Sequence, residues 1–377
     1  MNFLFTCGGT AGHINPALAV ADRLRALQPD CGVLFVGARD RMETDLVPRA
    51  GYEIVTVEVT NFHRSLKPSE LAYNVKSLSN VISSTRAAKK IIRDFQPDIA
   101  IGTGGYVCFP VLRAASQLGV PTMVHESNAV PGLTTKMLVD DVDRILVGFE
   151  DSRDAYGDTS KVVVTGTPVR GAFSACTKAE AKARLGLPAD RPLVVSVWGS
   201  LGARHMNEIM TEVIARACEA PAFSLIHSAG KTGYDRMAAA LQERCGADLA
   251  ARGMDVRPYI YDMPLVMAAA DLVLCRAGAS TLAELTVLGK PAILVPSPNV
   301  TNNHQERNAR VLERAGGAQV LLESECTAET LLDAVQALLA GPQTLRDMAA
   351  NMKAVGVPDA TERIADMAIA LAKTREK

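Results

Sequence analysis

One arrangement recurs along this chain and limits its folds more than any other feature: an apolar run of strand length, a glycine turn, then a helical stretch. NFLFT (2–6) runs into CGGTAGH (7–13) and NPALAVADRLRAL (15–27), where Pro16 suits a first helical turn. VLFVG (33–37), EIVTVEV (53–59), DIAIGTGG (98–105), TMVHE (122–126), RILVG (144–148) and KVVVTG (161–166) continue the pattern, with a basic helical stretch over roughly 68–95. Strands and helices in alternation predict a parallel, doubly wound sheet. The device then restarts. After a polar stretch at 174–192, PLVVSVWGSLGAR (192–204) repeats it, followed by FSLIHSAG (223–230), VRPYIY (256–261), LVLCRAG (272–278) and PAILVPSP (291–298). The fold class is therefore read as α/β: two doubly wound parallel-sheet domains facing a cleft. The expected limits are 1–168 and 169–358, with a C-terminal helix, 359–377, as a candidate to pack back on the first domain. A length of 377 residues, 48% of them hydrophobic, supplies two cores.

Composition removes several functions. The 40 basic and 41 acidic side chains nearly cancel, so no global field recruits nucleic acid. Aromatic residues at 5% do not make a base-stacking platform. The eight cysteines are scattered, with no CxxC pair or zinc spacing, which points to a reducing compartment. MNFLFT lacks the basic start of a secretory signal, and no run of about 18 apolar residues is present to span a bilayer. A cytoplasmic protein, or one attached to a membrane from that side, is expected.

Ligands of open α/β sheets bind beyond the carboxyl ends of the strands, and the motif residues fall in those loops. Gly8, Gly9 and Gly12 permit close backbone approach, and His13 stands at a helix start, where a neutral imidazole suits a general base. Tyr106, after Gly104 and Gly105, is placed to line an acceptor groove. Glu126 is a second candidate base or an orienting group. Asn128 suits sugar hydroxyls or a helix cap. Arg170 carries a planar fork fit for a diphosphate or an interdomain ion pair. Ser200 opens the second domain's first helix, a phosphate position. Ser280 and Thr281 repeat that device, and Glu284 stands about one turn on, able to grip a ribose diol or to act as a first-turn acid. Asn302, Asn303, His304 and Gln305 favour sugar hydroxyls. Asp141 and Asp143 form a DxD at the amino end of a strand and read as surface turn acids. No metal and no cofactor are required.

GGTAGHINPALAVA, GTGGYV, HESNAVPG, GTPVR, GSLGAR, CRAGASTLAEL and NHQERNA occur in that order. Together they resemble the MurG family across nearly the whole chain. The resemblance implies the GT-B glycosyltransferase fold of two Rossmann-like domains. It also implies inverting transfer of N-acetylglucosamine from UDP-N-acetylglucosamine to the C4 hydroxyl of the muramyl sugar of lipid I, giving lipid II for peptidoglycan. By motif it implies donor contacts at Thr10, Ala11 and Gly12, a sugar contact at Asn128, and diphosphate contacts at Arg170 and Ser200. Ile260 would read uracil through its backbone. Ala279, Ser280, Thr281, Leu282, Ala283 and Glu284 would hold phosphate and ribose, with His304 and Gln305 at the sugar. The chain departs from the family at Ala11, where glycine is usual, and at GTPVR, HESN and His304. The base stays open among His13, Glu126 and Tyr106. A UDP-N-acetylglucosamine 2-epimerase and a diacylglycerol glycosyltransferase are the alternatives. A lipid-linked acceptor implies docking on an anionic inner-membrane surface, and residues 66–95 offer Lys67, Lys76, Arg86, Lys89, Lys90 and Arg93 for it. Other cell-wall enzymes are further candidate partners.

Overall fold

A computed structural model describes residues 1–59, 68–174, 176–199, 203–246 and 249–376. The chain divides into two units, Met1–Arg170 with Val357–Lys377, and Gly171–Gly356. The boundaries thus fall after Arg170 rather than Pro168, and after Gly356 rather than Pro358.

Unit 1 runs β1 (Asn2–Thr6), α1 (Ala11–Leu27), β2 (Gly32–Ala38), α2 (Glu43–Arg49), β3 (Glu53–Val57), α3 (Pro68–Phe95), β4 (Ile99–Gly102), α4 (Cys108–Gln117), β5 (Thr122–Glu126), α5 (Leu133–Met137), β6 (Arg144–Val147) and β7 (Val162–Val164). The seven strands are parallel in the order β3-β2-β1-β4-β5-β6-β7. Parallel strands need helical crossovers, and the crossovers cover both faces. The period of two along each strand sorts the side chains between those faces. Phe3, Phe5, Phe35, Ile99 and Ile101 face Ile14, Leu18, Ala21 and Leu24 of α1. Leu4, Val36, Ala100 and Val124 face Ala88 and Ile92 of α3 and Val111 and Leu112 of α4. The rings of Phe5 and Phe35, paired in register on β1 and β2, stack at 5.1 Å.

Unit 2 runs α6 (Lys178–Arg184), β8 (Leu193–Val197), α7 (Arg204–Glu219), β9 (Ser224–Ser228), α8 (Tyr234–Cys245), β10 (Met254–Arg257), α9 (Met263–Ala269), β11 (Leu272–Cys275), α10 (Ala279–Leu288), β12 (Ala292–Leu294), α11 (His304–Arg314), β13 (Ala318–Val320), α12 (Ala328–Ala340) and α13 (Pro342–Val355). Its strands are parallel in the order β10-β9-β8-β11-β12-β13. The structure differs from the sequence reading twice. VRPYIY holds strand only to Arg257, because Pro258 offers no N–H to the ladder. The edge strand β13 was not anticipated; three residues after Gly316-Gly317 are too short to show a period.

The last helix, α14 (Ala360–Ala372), belongs to unit 1 and packs on α1. Ile364, Ala365, Ala368 and Ala372 are buried in the core that holds Phe3 and Phe5. Three alanines on that stripe let the two helix backbones approach closely. Ile364→Ala is therefore expected to cost unit 1 about 2–4 kcal/mol, the range for a large-to-small change in a filled core. The only tryptophan, Trp198, is buried in unit 2. In a urea titration, far-UV circular dichroism should register the loss, while the Trp198 fluorescence transition should keep its midpoint.

Candidate active site

In unit 1 the crossovers diverge at β1, which pairs with both β2 and β4. A crevice opens beyond the carboxyl ends of such strands. The loops after β1 and β4 are the two glycine-rich segments, and they are stitched together: Gly8 N–H donates to Gly104 O at 3.1 Å, and Thr103 Oγ1 to His13 O at 2.6 Å. Gly105 has φ +93°, and a Cβ there would run into Gly8 O. A Cβ on Gly104 (φ +117°) would stand 2.5 Å from His13 Cδ2. These two glycines thus admit the neighbouring loop and the imidazole.

His13 lies half-buried in the first turn of α1, after Thr10 in extended conformation, with Ala11 and Gly12 between them. Its Nδ1 is 2.8 Å from Gly8 O and 3.4 Å from Thr10 Oγ1. A carbonyl only accepts, so in the neutral ring Nδ1 carries the hydrogen and Nε2 presents a lone pair. Tyr106, beyond Gly105, leaves 41% of its surface exposed.

Glu126 has a different environment. Its Oε1 accepts from the Asn128 N–H at 3.1 Å and from Asn128 Nδ2 at 3.0 Å; its Oε2 accepts from the Gly132 N–H at 2.8 Å and Thr135 Oγ1 at 2.9 Å. Four donors saturate the carboxylate and shape the 127–135 loop, which suits a positioning group better than a proton acceptor. Neighbouring His125 is buried, and burial lowers its pKa. Its Nε2 donates to Gly166 O at 2.9 Å, and Nδ1 takes the Ser127 hydroxyl at 3.2 Å. It ties the third loop to the fourth. In the fourth, Arg170 is exposed, belongs to unit 1, and pairs with Asp22 of α1 at 2.9 Å. The interdomain ion pair weighed from sequence is therefore a pair within one unit. Sequence reasoning also missed Glu43 of α2. It is fully buried, with Oε1 accepting from the Ala38 N–H at 2.9 Å and Oε2 from the Gly9 N–H at 3.0 Å.

In unit 2 the divergence lies at β8, between β9 and β11. Trp198 and Gly199 follow β8; Ser200 lies outside the described residues. After β11, Gly278 starts α10 in extended conformation with no side-chain cap. The first amides of the helix, at Ala279, Ser280 and Thr281, have no intrahelical acceptor, and among the described residues no side chain caps them. Leu282 is buried in the core, and Ala283 is half-buried. Glu284 is half-buried by surface exposure; desolvation pushes its carboxyl up to about 8, against a hydrogen bond with Ser280 that pulls it down. The loop is braced by Arg276, which donates to Val295 O at 3.1 Å and pairs with Glu323 at 2.5 Å, and by Asn308 of α11, which donates to Ala277 O at 3.2 Å. Neither brace was read from sequence, since their acceptors are main-chain carbonyls or distant in the chain. In the last loop, Gln305 Oε1 accepts from the Ser297 N–H at 2.9 Å, and His304 Nδ1 donates to Thr301 O at 2.8 Å. Ile260 is buried between exposed Tyr259 and Tyr261.

A family model described as the glycosyltransferase family 28 N-terminal domain matches residues 3–147, and one described as the family 28 C-terminal domain matches 193–364. The UDP-N-acetylglucosamine–N-acetylmuramyl-(pentapeptide) pyrophosphoryl-undecaprenol N-acetylglucosamine transferase of Acetivibrio thermocellus is 43% identical, covering 97% of this chain and 96% of its own. The enzyme of the same name from Bacillus cytotoxicus is 40% identical, covering 97% of each. The chain belongs to this transferase family. Among solved structures, Acinetobacter baumannii MurG is 26% identical with a TM-score of 0.75, covering 98% of this chain and 99% of that one. The UDP-GlcNAc 2-epimerase of Neisseria meningitidis, at 15% identity and a TM-score of 0.68 over 98% and 100% of the two chains, shares the fold alone. The architecture is the GT-B arrangement of two parallel-sheet domains seen in these neighbours.

The Glu284 carboxyl gives unit 2 a pH dependence. Folded, it holds a proton up to about 8, whereas the unfolded chain loses it near the ordinary glutamate value of about 4.5. The stabilisation is complete below the lower value and is lost as pH rises through the higher one. Denaturant midpoints followed by Trp198 fluorescence should decline between pH 5 and 8.5 in the parent protein and decline less in Glu284→Gln.

Proposed function

We propose that His13 is the general base of a glycosyl transfer from UDP-N-acetylglucosamine to lipid I, the undecaprenyl-pyrophosphoryl-N-acetylmuramyl-pentapeptide. The protein is a glycosyltransferase of peptidoglycan synthesis, and its product is lipid II. The observation that carries the assignment of the base is an imidazole oriented by Gly8 O at a strand-to-helix crevice, its Nε2 without a hydrogen-bond partner among the described residues. Nε2 takes the proton of the muramyl C4 hydroxyl. The freed oxygen pair attacks the anomeric carbon from the face opposite UDP. The bond from that carbon to the β-phosphate oxygen breaks, UDP leaves with the electron pair, and configuration inverts. Holding the two sugars in line supplies much of the acceleration. The unpaired amides of α10 suit the charge that grows on the departing diphosphate, together with the Ser200 loop. Glu284 is assigned the ribose diol, the Ile260 backbone the uracil, and Asn128, Gln305 and His304 the donor sugar, with Thr10, Ala11 and Gly12 at the first glycine turn. Tyr106 lines the acceptor side. A diphosphate contact from Arg170 would exchange Asp22 for a phosphate.

Incubation with UDP-N-acetylglucosamine and lipid I should yield lipid-linked disaccharide and UDP in equal amounts; without lipid I, no N-acetylmannosamine isomer should appear. His13→Ala should lower kcat roughly 10²–10⁴-fold, the scale of general base catalysis, with UDP binding by calorimetry unchanged. Near-normal turnover in that variant would remove His13 from the role.

The acceptor's polyprenyl chain stays in the bilayer, so the protein must come to that surface. No helix among the described residues is long and apolar enough to cross a membrane. The basic face of α3 supports reversible docking: Arg86, Lys90 and Arg93 are exposed and Lys89 is half-buried, while Ala88 and Ile92 face the core. Ile82 is 51% exposed on the same helix. Lys67 and the side chain of Lys76 lie outside the described residues. Each surface cation near anionic lipid contributes about 1 kcal/mol, so attachment should be weak and salt-sensitive. Sedimentation with phosphatidylglycerol vesicles should fall with added salt and in a variant carrying Arg86→Glu, Lys89→Glu and Lys90→Glu. Undiminished binding by that variant would exclude this face.

A further inference from the structure

Glu43 is fully buried, and among the described residues it forms no ion pair. A buried carboxylate is costly unless it is well hydrogen-bonded, so its retention calls for a reason. Both of its oxygens accept backbone N–H groups, from Ala38 and from Gly9. Space is cleared for it twice: a Cβ on Gly8 would run into Glu43 Oε1, and one on Gly37 would stand 2.6 Å from Glu43 Cγ. The N–H it accepts from Gly9 and the Gly8 carbonyl that accepts from His13 are the two ends of one peptide group.

We infer that Glu43 is a positioning residue for His13, acting through the Gly8–Gly9 peptide as the carboxylate end of a Glu43–peptide–His13 relay. This rests on the assignment of His13 as base. In the carboxylate–imidazole pairs of hydrolases, the acid holds the ring's tautomer and stabilises the imidazolium as it forms. Here the same service passes through an amide. A carboxylate drawing on Gly9 N–H increases the negative charge on Gly8 O, and hydrogen bonds in such a chain strengthen one another. When the acceptor's proton reaches Nε2, the positive charge on the ring meets a polarised carbonyl at 2.8 Å and, beyond it, a full negative charge. No proton leaves Nδ1. The other titratable groups around this relay are held neutral or occupied. Burial, with Glu43's own charge adding to it, raises the thiols of Cys7 and Cys108. His125 is buried and spends both nitrogens on Gly166 and Ser127. Glu126 has its four donors, and Tyr106 is turned to solvent.

Glu43→Gln removes the charge at nearly constant shape. It should lower kcat roughly ten- to a hundredfold. Loss of the charge makes imidazolium less stable, so the acidic limb of the kcat/KM profile for the acceptor should move to lower pH, by roughly half to one unit. Glu43→Asp should restore the position of that limb. In a His13→Ala background, Glu43→Gln should shift nothing further. UDP titration and thermal melting confirm that each variant is folded. Lower kcat with an unmoved limb reduces Glu43 to a structural strut and overturns the relay. A fully active His13→Ala instead overturns the base assignment beneath it. Should Glu43→Gln not fold, ¹⁵N imidazole shifts of the parent protein still decide: neutral His13 protonated at Nε2 rather than Nδ1 would sink the relay.

Discussion

Main-chain pairing of β1 with strands on both of its sides is the constraint from which the first unit follows, and β8 imposes the same condition on the second. Parallel ladders cannot close through short hairpins, so each strand is followed by a crossover that lays a helix on the sheet. Because β1 has β2 on one side and β4 on the other, the crossovers leave toward opposite faces, and their loops part at the carboxyl end. The glycine segments occupy those parted loops. In unit 1 these two short loops pack against each other and around one imidazole.

That packing explains why so few of the polar groups near His13 are free to act. His125, Ser127, Glu126 and Thr135 bond among themselves and to main-chain atoms, as buried polar groups must. Their work is to hold backbone. Among the described residues the exceptions are informative: Nε2 of His13 and the first amides of α10. Each of these is positioned by its neighbours and not used up by them. Transition-state charge is met best by groups that need no reorganisation, and helix-end amides and a carbonyl-locked imidazole both meet that condition.

Much of the local structure at the candidate site was legible in the chain. His13 after a glycine turn, the Gly278–Thr281 helix start and Glu284 one turn later were read correctly as helix-start groups, since strand, turn and first helical turn lie within a few residues of one another. What the sequence left open or passed over involves partners it could not show. Arg170 pairs with Asp22, and nothing in GTPVR or in α1 announces the other. Glu126 reads as a candidate base until its four donors are counted. Glu43 belongs to no motif and was passed over. Its partners are main-chain amides, and these carry no residue-type signal.

The sequence by itself determined the alternation of strand and helix, the restart that makes two units, the positions of the loops and the family, because these depend on local period, glycine placement and ordered motifs. Only the tertiary structure decided that α14 returns to cover Phe3 and Phe5, that Gly104 and Gly105 make room for a neighbouring loop, and that His13 carries its hydrogen on Nδ1. Those outcomes depend on which main-chain atoms come within about 3 Å across long stretches of chain, a property of packing that no local pattern encodes.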